Sequence, residues 1–125
     1  MHTPDDRRYT PEHEWILDIG EGRIRVGISD FAQDQLGDIV YVDLPSVGQD
    51  IQKGATLAEI ESTKSVADVY APLSGTVTAV NEVLADAPET INGDPYDGGW
   101  IAELEGDLDS LEGLLDAAGY IELTE

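Results

Sequence analysis

Cysteine is absent from the 125-residue chain, basic residues number only six, and no apolar run is long. Without cysteine there is no disulfide scaffold, no zinc ribbon and no thiol nucleophile. Redox chemistry on an attached cofactor stays open. No apolar stretch approaches the roughly 20 residues that a membrane helix needs. The start, Met1-His2-Thr3-Pro4-Asp5-Asp6-Arg7-Arg8, has no apolar stretch behind its basic pair, unlike a signal peptide, and is too acidic and short for a transit peptide. The expectation is a cytoplasmic protein. Its two histidines, His2 and His13, are too few and too far apart for a readable metal site. No linker or low-complexity tract divides the chain. A flexible polar terminus over residues 1–8 and a single domain over 9–125 are therefore expected.

What the chain has in excess is carboxylate. Asp and Glu total 27 against six Lys and Arg, a formal charge of −21. The apolar fraction of 41% is that of a folded globular protein rather than of an acidic tail. A surface this negative repels nucleic acid and anionic lipid, so neither is an expected partner. Two readings of the acidity stay open: solubility or adaptation to salt, and steering toward partners with basic patches.

Residues 14–19 are apolar and β-prone, 20–22 form a turn, and Arg23-Ile24-Arg25-Val26-Gly27-Ile28 alternates; together they predict a hairpin. A short helix follows, with Asp30 as its N-cap, Gln33 at the third position, Gly37 as terminator, and Phe31, Ala32 and Leu36 on its core face. Ile39-Val40-Tyr41-Val42 is a strand. Ala71-Pro72-Leu73-Ser74-Gly75 is a turn before the strand 76–80. Asn81 caps one helical turn, residues 93–99 are loop, and 100–104 a strand. Leu111, Leu114, Leu115 and Ala118 recur at i, i+3, i+4 and i+7, predicting a final amphipathic helix capped by Asp109 and ended by Gly119. Residues 55–70 are ambiguous. Leu57, Ile60, Lys64 and Ala67 fall at helical spacing, and periodicity leaves a helix and a pair of strands about equal.

Most chemical motifs fail. Gly20, Gly22 and Gly27 have the wrong spacing for a dinucleotide loop, and a strand follows them instead of a helix. The run 92–98 resembles a calcium loop in composition only. Carboxylates are so abundant that spacing singles out no acid–base pair.

One segment stands apart: Ile60-Glu61-Ser62-Thr63-Lys64-Ser65-Val66-Ala67-Asp68-Val69-Tyr70-Ala71-Pro72-Leu73-Ser74-Gly75. It resembles a lipoyl-attachment signature. His13-Glu14-Trp15, the run 27–33, Leu36-Gly37-Asp38-Ile39-Val40-Tyr41-Val42-Asp43-Leu44-Pro45, and Asn92-Gly93-Asp94-Pro95-Tyr96 with Gly99-Trp100 extend the likeness over residues 9–125. In this order the patches resemble the H proteins of the glycine cleavage system. The resemblance implies a mainly β fold, a barrel-sandwich hybrid of two antiparallel sheets of the lipoyl-domain type, with short helices and a C-terminal helix. It resolves residues 55–62 and 65–70 as strands flanking Thr63-Lys64. Thr-Lys is a poor two-residue turn, since such turns favour positive φ. A poor turn former at a tip suits a residue chosen for chemistry.

The resemblance further implies lipoic acid joined by an amide to Lys64, with Glu61 and Ser62 as recognition residues for the lipoyl-attaching enzymes. It implies a shuttle rather than an enzyme. A pyridoxal-phosphate glycine decarboxylase, a tetrahydrofolate-dependent aminomethyltransferase and a dihydrolipoyl dehydrogenase would be its partners, each docking transiently on a monomer. Glu14 and Asp68 would line a cleft for the cationic aminomethyl cargo; Glu12 stands where some relatives have serine. Competing readings are a lipoyl relay donating to other complexes, the lipoyl domain of a 2-oxo acid dehydrogenase, a biotin carrier and an unmodified acidic binding module. Thr63 and Ser65, in place of flanking Met or an Asp-Lys-Ala triplet, disfavour the second and third of these.

Overall fold

The structure is a computed structural model that describes residues 2–124. Two antiparallel sheets carry it. The larger begins with β1 (Arg8–Tyr9), β2 (Glu14–Gly20) and β3 (Arg23–Ile28). Gly20, Glu21 and Gly22 all have positive φ, so the predicted hairpin turns where two glycines make that conformation cheap. Trp15 lies opposite Gly27 in the register. A Cβ on Gly27 would stand 2.5 Å from the Trp15 ring, so glycine here is a packing requirement. β9 (Ala102–Gly106), β8 (Gly75–Val80) and β5 (Asp50–Ile51) complete this sheet in the order β1-β2-β3-β9-β8-β5.

The smaller sheet is β4 (Ile39–Asp43), β6 (Thr56–Ser62) and β7 (Val66–Tyr70), in the order β4-β6-β7. The ambiguous stretch is thus a hairpin. Neither sheet closes on itself or on the other; β4 and β7 are open edges. Ile24, Val26 and Leu104 from the large sheet meet Val42, Ile60 and Val69 from the small one in a single buried cluster. That shared apolar burial holds the sheets face to face.

Several local expectations change. Ser29, not Asp30, caps α1 (Asp30–Leu36): its Oγ accepts the Ala32 N–H, while Asp30 takes the first helical position and accepts from the Gln33 amide. A carboxylate there still suits the positive end of the helix. Ala32 and Leu36 are partly buried against the core, whereas Phe31 packs on the His13 ring. Asn81 caps nothing. Its amide donates to the Gly98 and Trp100 carbonyls, and α2 (Val83–Asp86) starts without a side-chain cap. A further turn of helix, α3 (Thr90–Gly93), for which the sequence pattern predicts no element, ends on the first of the residues expected as loop.

The carboxyl-terminal helix exists but is displaced. Leu108–Leu111 is a 3-10 turn capped by Asp107, Gly113 has φ 94°, and Leu115 makes a backbone bridge to Tyr9. Only then does α4 (Ala117–Thr124) begin, with Gly119 inside it, its N–H bonded to Asp116. A glycine in the left-handed region ends the first turn, and the bridge to β1 outweighs the leucine periodicity.

Arg7 and Arg8 fall within the terminus expected to fray, yet Arg8 belongs to β1. The Arg7 guanidinium is buried, lies 4.7 Å from the Trp15 ring centroid, and donates to the Tyr96 carbonyl. Cation–π contact and a hydrogen bond tie this segment to an aromatic cluster of Tyr9, Trp15, Tyr96 and Tyr120. Among the described residues no helix is long and apolar enough to cross a membrane.

Candidate functional site: a lysine at a hairpin tip

β6 and β7 meet at Ser62–Ser65. The Ser62 N–H donates to the Ser65 carbonyl at 2.8 Å. The Ser62 Oγ accepts from the Lys64 and Ser65 amides at 3.2 and 3.1 Å. Neither Thr63 nor Lys64 has positive φ. The turn is therefore built by a side chain that takes up two backbone donors, not by the positive-φ geometry of a tight two-residue loop. The Thr63 N–H donates to the Asp38 carbonyl at 3.0 Å, pinning the tip to the corner between α1 and β4. Lys64 is exposed. Among the described residues its ammonium has no ion pair or hydrogen bond. Its stem passes over Gly37, where a Cβ would come 3.4 Å from the Lys64 Cε.

The outer face of the small sheet is ordered in rungs. Tyr41, Glu61 and Val66 lie in register, and so do Asp43, Glu59 and Asp68. Glu61 and Asp68 are both exposed. Beside the hairpin lies a cavity of about 180 Å³, floored by Ile28, Leu36, Ile60 and Val69 and also lined by Glu12, His13, Gln35 and Asp68. A larger groove of about 540 Å³ runs past Thr10, Glu12, Tyr70 and Pro72, at the carboxyl end of β7. Its lining touches neither the tip nor Asp68.

Glu14 behaves differently from Asp68. It is 2% exposed and lines neither cavity. Its Oε1 accepts from the Thr10 hydroxyl at 2.8 Å and its Oε2 from the Tyr70 N–H at 2.9 Å. Burial pushes its pKa up, and these two hydrogen bonds pull it partly back. The structure thus brings Asp68 to the cavity and sets Glu14 behind the cavity wall.

Sequence reasoning noted two further residues without giving them a role in the site. Glu12 lines both cavities. His13, with φ 75°, lines the smaller one, and its Nδ1 is 2.8 Å from the Tyr120 hydroxyl, itself 2.6 Å from the Ser29 Oγ. Burial lowers the His13 pKa. The one available signal for His13 was its place beside Glu14-Trp15; nothing local announces its partner 107 residues away.

The fold is thus two β sheets that present an exposed lysine at a pinned hairpin turn, beside a small apolar cavity. The comparisons narrow this. The family model described as glycine cleavage H-protein matches residues 7–125. The glycine cleavage system H protein of Nocardia farcinica is 58% identical over 123 residues, covering 94% of this chain and 93% of that protein. That of Micrococcus luteus is 56% identical over 119 residues, covering 94% and 93%. A crystal structure of a glycine cleavage system H protein from Mycobacterium marinum matches with TM-score 0.83 and 41% identity, over 95% of this chain and 96% of that one. The chain belongs to the glycine cleavage H-protein family.

Proposed function

We propose that this chain is the lipoyl-carrying shuttle of a glycine cleavage system, acylated on Lys64. The observation that carries the reading is the exposed, unpaired Lys64 amine on a turn fixed at both sides, in a chain of this family. The residues fit the group. The amine is accessible, Gly37 leaves room for the stem, and the neighbouring cavity is floored by apolar side chains. Bound there, a lipoyl group supplies a disulfide–dithiol couple for one-carbon and electron carriage, chemistry that a cysteine-free chain lacks.

The chain's own residues do the rest. Lys64 anchors and extends the arm, and tethering raises the effective concentration of its end at a docked active site. Ser62 shapes the turn, and with Glu61 is read by the attaching enzymes. Asp68, joined by Glu12, faces the cavity, where a carboxylate holds a cationic amine by a charge-assisted hydrogen bond. Glu14 stands behind the wall of that cleft, where its Oε2 accepts the Tyr70 N–H. The partners are a glycine decarboxylase, an aminomethyltransferase and a dihydrolipoyl dehydrogenase, each docking transiently, and the chain performs no catalytic step itself.

The test is intact mass and peptide mapping after incubation with lipoic acid, ATP and a lipoyl-attaching enzyme. One lipoyl increment on Lys64 is expected. Lys64→Arg gains none, keeps its circular dichroism spectrum and loses glycine–bicarbonate exchange. A parent protein that stays bare, or a Lys64→Arg variant that still supports exchange, refutes the reading.

A further inference from the structure

We infer that Asn92 is a positioning residue for the acylation of Lys64: its side chain fixes the corner on which the lysine turn rests. The inference deepens the carrier reading and depends on it. Outside the strand ladders, the turn is tied to the rest of the chain by the hydrogen bond from the Thr63 N–H to the Asp38 carbonyl, at 3.0 Å. Asp38 is exposed and belongs to neither α1 nor β4. Its chain neighbours give it little support. Gly37 leaves α1 with φ 78°, and the register of β4 with β6 shifts between Ile39 and Tyr41, so the ladder is irregular where it starts.

One side chain from α3 supplies the missing anchor. The Asn92 Oδ1 accepts the Ile39 N–H at 2.9 Å, and the Asn92 Nδ2 donates to the Gly37 carbonyl at 2.9 Å. The Ile39 N–H and the Asp38 carbonyl are opposite ends of a single planar trans peptide. Asn92 therefore grips one end of the peptide whose other end holds Thr63, and that peptide cannot rotate without breaking both bonds. Hydrogen bonds in such a chain also strengthen one another. A third bond, from the Asn92 Nδ2 to the Gln33 Oε1 at 3.0 Å, keeps the amide from turning over. Gln33 is itself held, its Nε2 donating to Asp30 at 2.7 Å.

Asn92→Asp removes the grip with little change of shape. The carboxylate can still accept from Ile39, but it sets an oxygen against the Gly37 carbonyl where the amide donates. Asn81→Asp is the matched control. It adds the same charge at a buried asparagine whose Nδ2 donates to the Gly98 and Trp100 carbonyls, neither of which bonds to the lysine turn. Two readouts are compared in unacylated parent and variants. The first is hydrogen exchange of the Thr63 amide. The second is the initial rate of lipoyl attachment at Lys64, with lipoic acid, ATP and a lipoyl-attaching enzyme, over a range of protein concentrations.

In Asn92→Asp the Thr63 amide is expected to exchange about tenfold faster, the size of one or two net hydrogen bonds. KM for the protein should rise about tenfold with kcat within about twofold, since a turn in place for a fraction of the time lowers apparent affinity by that fraction. Asn81→Asp should lower the urea midpoint yet stay within about twofold of the parent in both readouts. Should Asn92→Asp fail to fold, Gln33→Ala, which strips one anchor from the amide, carries the comparison with an expected change of about threefold. Parental Thr63 exchange in the Asn92 or Gln33 variant overturns the proposal, as does an unchanged KM. Equal effects in Asn81→Asp overturn it too, because general stability then accounts for them. A parent that gains no lipoyl group refutes the carrier reading, and the role in acylation with it, while Thr63 exchange still decides whether Asn92 holds the turn.

Discussion

Glu14 couples the state of one proton to the stability of the chain. Its folded pKa lies above the ordinary 4.5 because burial penalises the carboxylate. Below that value both folded and unfolded chains hold the proton, and burial costs nothing extra. As pH rises past 4.5 the unfolded chain ionises first, so stability is lost until the folded pKa has been passed. Glu14→Gln never ionises. Its urea midpoint relative to the parent is therefore expected to be more favourable at about pH 7 than at about pH 4, and the difference cancels the other carboxylates common to both proteins. A gap independent of pH would mean that the Glu14 pKa is not raised. Gly27 is a second single-residue constraint. A methyl group there runs into the Trp15 ring, whose Nε1–H is bonded to the Pro95 carbonyl at 3.0 Å. Overpacking of this kind costs about 1–3 kcal/mol. Gly27→Ala is expected at the upper end of that range because the indole must leave its hydrogen bond to move, as a lower urea midpoint with a shifted tryptophan emission would show.

At the scale of elements, the lysine hairpin shows how far local pattern reaches. Leu57, Ile60, Lys64 and Ala67 stand at helical spacing, yet the segment is two strands. A β-bulge between Thr56 and Ala58 lets Leu57 and Ala58 both turn inward, so the strand loses the alternation that would have identified it. Only pairing with β4, distant in sequence, decides the matter. The β2–β3 hairpin, with glycines at its turn and regular alternation in β3, was legible for the opposite reason. The C-terminal leucines misplaced a helix because Gly113 and the Tyr9–Leu115 bridge intervene, the second being a long-range contact that no window contains. Lys64 was legible only through its family resemblance; by composition it is one exposed charge. The turn beneath it had a signal in the sequence, however: a serine whose oxygen can serve amides two and three residues ahead. Ser62→Ala is expected to keep the fold, to speed exchange of the Lys64 and Ser65 amides, and to slow lipoyl attachment about fivefold, the equivalent of one hydrogen bond near 1 kcal/mol. Ser62→Thr keeps the hydroxyl and should restore the rate. Attachment at the parental rate in Ser62→Ala would separate the turn from recognition.

Across the whole molecule the charge is distributed unevenly. Three ion pairs occur among the described residues: Arg7–Asp6, Arg23–Glu21 and Arg25–Glu103. All three lie along the large sheet or the segment leading into it. The strands of the small sheet contain no basic residue, while Asp43, Glu59 and Asp68 stand side by side in one rung, with Glu61 in the next. Like charges directly opposite one another on a sheet are destabilising, and solvent-exposed repulsion fades once the Debye length falls to about 3 Å near 1 M salt. The urea midpoint is therefore expected to climb between 0.05 and 1 M NaCl. Glu59→Gln, which removes the middle charge of the rung, should raise the midpoint at low salt and narrow the climb. A matched change at exposed Glu112, outside the small sheet, should do less. Lys64 is the positive charge at the tip of this sheet's hairpin. Acylation makes it neutral, so the modified protein should be less stable than the unmodified one at 0.05 M NaCl and approach it at 1 M. A modified form that keeps the same disadvantage at both salt concentrations would show that the acyl arm acts on stability by contact rather than by charge.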